Sequence, residues 1–480
     1  MRRAWLCACV AASASAAPWD KSGIADWTKP PAPATEPVFR PPVPVRERLA
    51  NGIALLVIEN HALPIVAFEL VAPGAGTADD PVGQGGLAAL TADLLDEGAG
   101  GRSAIALAEE QDRLGAEIDL GVDRDAAYVT GHALAKTLDP TLALVTEIVT
   151  RPAFDPKEFA RVRGDRVTSL EQRPDRPSEV AGIVLDGALY GAGTAYGHPA
   201  SGHRADVGKL ALADAQRFYQ AHWDPAAMTL VVAGDVDRAK LRAQLDAGLG
   251  AWKPAGARTP ARPVAPAQKI AHRLLVANRP GAEQSDVRIG LVGPPRVDAG
   301  YFAFEVMTNA LGGGFTSRLE QRLREQLGIT YGISAGMDWR LAPGPFVIAS
   351  AIETPSTADG ITETLQIVDG LATADLPADE LDKAKQNLIR ALPAMFQTNS
   401  SVASAFSELA VLGLPDDFYS HYAAEVRKVT AADVRAAAAL VPANQLVISI
   451  VGDLAKIRPS LDKLGLGTPA LYDLYGLPKK

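Results

Sequence analysis

Gly86-Leu87-Ala88-Ala89-Leu90-Thr91-Ala92-Asp93-Leu94-Leu95-Asp96-Glu97-Gly98 is the stretch that decides how this chain is read. Its leucines recur at helical spacing, so residues 86–96 are expected to form an amphipathic helix. Two strand-like runs precede it, residues 53–58 and 65–71, around the turn Asn60-His61-Ala62-Leu63-Pro64. The same plan returns later, with strand-like runs at 273–276 and 287–292 and a helix-like run at 301–311. The closing elements match as well. Thr229-Leu230-Val231-Val232-Ala233-Gly234-Asp235 and Leu446-Val447-Ile448-Ser449-Ile450-Val451-Gly452-Asp453 are each a β-branched strand ending in Gly-Asp after a helix and a Pro-bearing loop. Gly234 and Gly452 are offset by 218 residues (452 − 234). An ordered match of this length indicates duplication of one domain. Long amphipathic helices are expected at 107–114, 139–149, 361–371 and 378–391. Strands joined early by turns and helices gathered later argue for an α+β fold, two homologous domains each with a mostly antiparallel sheet packed with helices.

With 480 residues the chain exceeds one core, and 48% hydrophobic with 21% charged residues is ordinary for a globular protein. A net charge of -9 argues against a nucleic-acid partner. Arg2 and Arg3, the apolar residues 4–12 and the small residues 13–17 read as an export signal, which places the protein in the periplasm or otherwise outside the cytoplasm. Leu6-Cys7-Ala8-Cys9 loosely resembles a lipoprotein cleavage site, but the apolar stretch before it is very short for lipidation. Both cysteines, Cys7 and Cys9, fall inside this segment, so the mature chain has neither disulfide nor thiol chemistry. No other segment reaches the ~18 apolar residues needed to span a bilayer. The expected division is 1–17 signal peptide, 18–44 Pro-rich lead-in, 45–252 N-terminal domain, 253–268 Pro/Ala-rich linker and 269–480 C-terminal domain.

The quoted helix resembles the Gly-Leu-Ala-His-x-x-Glu-His segment of pitrilysin/insulinase-type zinc peptidases. Against that pattern the two metal-binding histidines are Ala89 and Asp93, and the catalytic Glu is Ala92. A zinc site needs about three protein ligands and an open position, and a hydrolase needs a base near the bound water. This helix offers one carboxylate and no imidazole, so the resemblance implies a degenerate zinc motif and no metal or cofactor in this chain. The family's distal Glu ligand would fall near Glu171 or Gln172. His198 and His203 lie in a Gly/Pro loop and are read as packing or capping residues. Arg102 and Ser103 match a loop that follows the family's metal helix and are read as structural. No phosphate-binding loop, dinucleotide fingerprint or nucleophile elbow is present.

A second constellation lies in the C-terminal half. Leu311-Gly312-Gly313-Gly314-Phe315-Thr316-Ser317-Arg318-Leu319 is followed by Leu323-Arg324-Glu325-Gln326-Leu327-Gly328-Ile329-Thr330-Tyr331. The glycines are expected to end one helix through positive φ, Thr316 or Ser317 to cap the next, and Gly328 to stop it. Arg324 on the last helical turn and Tyr331 at the start of a strand can then project side by side. This stretch also resembles the family, where an Arg and a Tyr with six residues between them bind substrate and support the transition state at the zinc of the N-terminal half. The resemblance runs from about Arg46 to Leu464 and includes Phe218-Tyr219 with His222-Trp223-Asp224-Pro225. It implies the non-zinc-binding subunit of a heterodimeric processing-type metallopeptidase. Arg324 and Tyr331 would act in trans on peptide substrates held at the zinc of a homologous partner subunit. The alternative is a catalytically silent scaffold or assembly protein, as in the core subunits of respiratory complexes that share the resemblance.

Overall fold

The structure, a computed structural model, describes residues 38–253 and 270–479. The expected signal peptide, most of the lead-in and nearly all of the linker lie outside the described residues. Residues Pro41–Lys480 cluster as one unit, and residues 38–40 belong to a separate one.

The first half contributes β1 (Val45–Arg48), β2 (Ala54–Glu59) and β3 (Ile65–Pro73). A two-stranded ribbon follows, β4 (Gly98–Ala99) and β5 (Arg102–Ser103), and then β6 (Glu117–Val122), β7 (Ala126–Leu134) and β8 (Thr229–Gly234). The second half contributes β9 (Leu274–Asn278), β10 (Gln284–Val292), β11 (Thr330–Met337), β12 (Pro345–Glu353), β13 (Val447–Gly452) and β14 (Ala470–Tyr472). The two sheets run β1-β2-β8-β3-β7-β6 and β11-β12-β10-β13-β9-β14. With β1 and β14 set aside, each reads first, fifth, second, fourth, third strand of its half. The directions agree too. β2 and β8 are parallel, as are β9 and β13, while the remaining three pairs of each five-strand set are antiparallel. The duplication legible in the sequence is therefore a duplication of topology, and the fold is α+β with mixed, mainly antiparallel sheets.

The central strands explain how the halves are joined. β8 (TLVVAG) and β13 (VISIVG) are buried along their whole length, as continuous apolar strands covered on both faces are. Alternate residues serve different cores. Leu55, Val57, Leu230 and Val232 face the helices of the first half. Leu56, Ile58, Val231 and Ala233 point the other way and cluster with Val402, Ala403 and Phe406 of the second half. Those last residues lie on helix Asn399–Val411, which packs on β3 and β8. The exchange is reciprocal. Helix Pro177–Asp186 of the first half packs on β10 and β13, with Val180, Ala181, Val184 and Leu185 against Leu275, Ala277, Val447 and Val451. Each donated helix is also tied at its start. Asn399 Nδ2 donates to Ile65 O at 2.8 Å, and Arg288 donates to Ser178 Oγ. Gly234 makes room for the first tie, because a Cβ there would lie 2.9 Å from Asn399 Nδ2 and its φ is +137°.

A polar seam completes the join. Tyr196 OH donates to Asp125 Oδ1 at 2.5 Å, Leu341 N–H donates to Asp125 Oδ2 at 2.9 Å, and Tyr190 OH donates to Pro343 O at 2.9 Å. Among the described residues no helix is long and apolar enough to cross a membrane.

Leu185 is 1% exposed and belongs to the apolar cluster that its helix forms with Leu275, Ala277, Val447 and Val451 of the other half's sheet. Leu185→Ala is expected to cost about 2–5 kcal/mol and to shift one common urea transition, since both halves lose a covered face. An unchanged midpoint in urea unfolding followed by circular dichroism would contradict the shared core.

Candidate functional site

The first-half helix, α1 (Leu87–Asp93), is shorter than its sequence suggests. It starts at Gly86 with φ +92°, and no neighbouring side chain caps it. A remote carboxylate does so instead: Asp80 accepts from Gly86 N–H at 2.6 Å and Ala88 N–H at 2.7 Å. Burial pushes the Asp80 carboxyl up to about 7, against the pull of those two donors. Beyond Asp93 the chain tightens into i→i+3 bonds, Leu94 N–H to Thr91 O and Leu95 N–H to Ala92 O, which is why residues 94–96 leave the helix. Asp96 then sits half-buried. Burial raises its carboxyl to about 6, and the carboxylates of Glu97, Asp93 and Asp119 add to the rise.

Ala89 and Ala92 are buried methyls, 6% and 1% exposed. Asp93 faces a cleft of about 450 Å³ between α1 and helix Pro156–Glu171. That second helix brings arginines. Arg166 pairs with Asp93, and Arg161 pairs with Glu97. Arg161 also holds Glu158 at 2.7 Å and Asp165 at 3.2 Å. Glu171, one expected position for a distal ligand, pairs with Arg204 at 2.8 Å instead of meeting Asp93. Among the described residues no group of three His, Cys, Asp or Glu side chains is placed to hold a metal ion. His198 lies between the Thr77 and Pro199 carbonyl oxygens, at 3.0 Å and 3.1 Å, and burial lowers its basicity. A donor set of one carboxylate beside an arginine does not fit zinc.

The second constellation is built differently. Helix Tyr301–Gly312 ends where predicted, but the glycines serve closeness more than positive φ. A Cβ on Gly312 would lie 2.4 Å from Ala335 N of β11, and one on Gly313 would lie 2.6 Å from its own helix at Asn309. Ser317 precedes the next helix, yet its buried hydroxyl has no hydrogen-bond partner among the described residues, so no side-chain cap forms there. Residues Glu320–Gln326 are wound wide, with Leu327 N–H reaching Arg322 O at 3.0 Å, an i→i+5 bond. Such widened turns are frequent at functional sites. Gly328, at φ +65°, ends the element as expected.

Arg324 lies on that last turn. Its guanidinium carbon is 4.8 Å from the Phe315 ring centroid, and its nitrogens are 3.7 Å from Glu320 Oε2 and 3.5 Å from Glu325 Oε1. Glu320 is the buried link, since its Oε1 accepts the Ile333 N–H of β11 at 3.0 Å. Tyr331 sits where the β11–β12 register shifts, between Thr330 and Ile333. Thr330 Oγ1 stabilises this bulge through Gly332 O at 2.9 Å and Ala351 O at 2.7 Å. A bulge re-aims a side chain, and here it leaves Tyr331 90% exposed. The two elements are thus tied together by Glu320. The guanidinium is stacked on Phe315, and the phenol projects into solvent. Phe315, itself exposed, and the linker role of Glu320 were not foreseen from the sequence. An aromatic directly after three glycines was the one available signal.

Residues 209–388 match the family model described as "Peptidase M16 inactive domain". The chain is 26% identical over 402 residues to an uncharacterized zinc protease of Mycobacterium tuberculosis, spanning 82% of this chain and 90% of that one. It is 23% identical over 389 residues to a protein of Helicobacter pylori named a non-peptidase homolog, spanning 80% and 87%. In fold it is similar to a crystal structure described as a peptidase M16 inactive domain from Pseudomonas fluorescens, with TM-score 0.79, 24% identity and 85% and 97% coverage. The resemblance to pitrilysin/insulinase-type peptidases therefore holds, in sequence over residues 209–388 and in fold over most of the chain.

Asp96 gives a test of the electrostatics beside α1. Its folded value of about 6 lies above the ordinary 3.8, so its ionised form is disfavoured by the fold. The stability it contributes is complete below about 3.8 and lost as pH rises through about 6. Asp96→Asn should flatten the thermal-stability profile in that window and raise the melting temperature at pH 8. An unaltered profile would show that this carboxyl does not feel its burial.

Proposed function

We propose that this chain is the non-metal-binding subunit of an exported, two-chain zinc peptidase. It supplies Arg324 and Tyr331 to a site whose zinc belongs to a homologous partner subunit. The observation that carries this reading is a division of labour between the halves. The first half has lost the ligand chemistry, while the second keeps a supported Arg and an exposed Tyr. Export rests on the N-terminal residues 1–17. A scaffold alone has no need to hold an arginine on an aromatic ring or to bulge a strand beneath a tyrosine.

In the pair, the partner's zinc would lower the pKa of a bound water so that it can attack a peptide carbonyl. This chain's residues act on the substrate. The Arg324 guanidinium, already oriented by Phe315 and Glu320, donates hydrogen bonds to the carbonyl oxygen as negative charge develops there. The Tyr331 phenol donates from the bulged strand. Donors fixed before reaction cost little reorganisation, and removing one costs about 100-fold or more in turnover. Unfolded peptides fit this arrangement, because an extended segment can add to a sheet edge.

Purified alone, the protein is expected to carry no stoichiometric zinc and to cleave no peptide. Metal analysis giving one zinc per chain would end the proposal. Mixed with the zinc-bearing homologue encoded in the same host, it should restore cleavage. Arg324→Ala and Tyr331→Phe should each lower kcat by roughly 100-fold while the two chains still co-elute on gel filtration. Full turnover by both variants would leave the scaffold reading in its place.

A further inference from the structure

We propose that Arg166 takes the place of the cation that α1 cannot bind, so that a guanidinium–carboxylate pair with Asp93 joins the two helices a metal would join. The pair lies at the position equivalent to the second metal-binding histidine. Asp93 projects from the end of α1, and Arg166 projects from the middle of helix Pro156–Glu171, which forms the opposite wall of the cleft. The side chains are 37% and 18% exposed, so the contact is partly shielded from solvent. Arg166 Nη2 makes the bond to Asp93, while its buried Nε has no hydrogen-bond partner among the described residues. Asp93 is therefore the group that fixes this guanidinium.

The neighbouring charges repeat the arrangement. Four residues further along the chain, Glu97 is met by Arg161, which is itself held by Glu158 and Asp165. At the far end of the cleft, Arg176 pairs with Glu179 at 3.2 Å and donates to Ser169 O at 2.6 Å. The four carboxylates that line the cleft, Asp93, Glu97, Asp165 and Glu179, thus each already face an arginine. A guanidinium stays protonated at any pH the protein survives, so the neutralisation cannot be titrated away. It also repels an incoming divalent ion at short range. Loss of the imidazoles removes ligands that a zinc ion needs. The arginine goes further, because restoring imidazoles would leave a positive charge in the pocket.

Two measurements on the full chain test this. In the first, Arg166→Met and Asp93→Asn are compared singly and together by thermal unfolding. Each single variant should lower the melting temperature, Arg166→Met by ~3 °C or more, and the double variant should fall no lower than the worse single one. No loss in either single variant, or fully additive losses, overturns the proposal. In the second, Ala89→His/Asp93→His places two imidazoles one turn apart, with Arg166 kept or changed to Met, which removes the charge and adds no carboxylate. Cobalt(II), followed by its visible absorption, should bind at least ~10-fold tighter to the Arg166→Met background. Equal binding by the two backgrounds overturns it. The thermal comparison stands by itself if the histidine variants do not fold.

Discussion

Two apolar faces on each sheet set the terms for the rest of the molecule. β8 and β13 are buried throughout, so each sheet needs cover on both sides, and its own helices supply one side. Helix Asn399–Val411 covers the second face of the first sheet, and helix Pro177–Asp186 covers the second face of the other. Neither half has a complete core without the other's helix. The polar seam through Asp125, Tyr196 and Leu341 N–H then specifies how the halves meet, because a buried carboxylate without its donors would be costly.

That constraint separates folding from chemistry in α1. Its leucines, Leu87 and Leu90, belong to the first-half core with Leu94 just past its end, and Asp80 secures its start. At Ala89, Ala92 and Asp93 the packing requires only that the first two be small and that the third be paired. The helix persists because its apolar face is needed. In the second half the wide turn at Glu320–Gln326 and the bulge at Tyr331 depart from regular structure, and they set the surroundings of Arg324 and Tyr331.

Much of this was legible beforehand, for reasons that can be named. Period-two strands, period-3.6 helices and Gly-Asp ends at matching offsets are local signals, and they located the repeat, the α+β class and the two constellations. Helix ends were less legible. Residues 94–96 have helical composition, yet tertiary packing tightened them into turns. Ser317 has the composition of a cap and does not act as one. Arg166 gave no signal, because its partner lies 73 residues away in the chain.

The sequence by itself determined which residues were available: no imidazole at positions 89 or 93, an Arg and a Tyr with six residues between them, and two copies of one strand plan. Only the tertiary structure decided what those residues face. Arg166 meets Asp93, Arg324 stacks on Phe315 and Glu320 bridges to Ile333 because separate elements pack at fixed distances. Periodicity reports the face of an element on which a side chain lies. It carries no information about which distant element that face will meet, since that follows from the burial of both faces of two sheets at once.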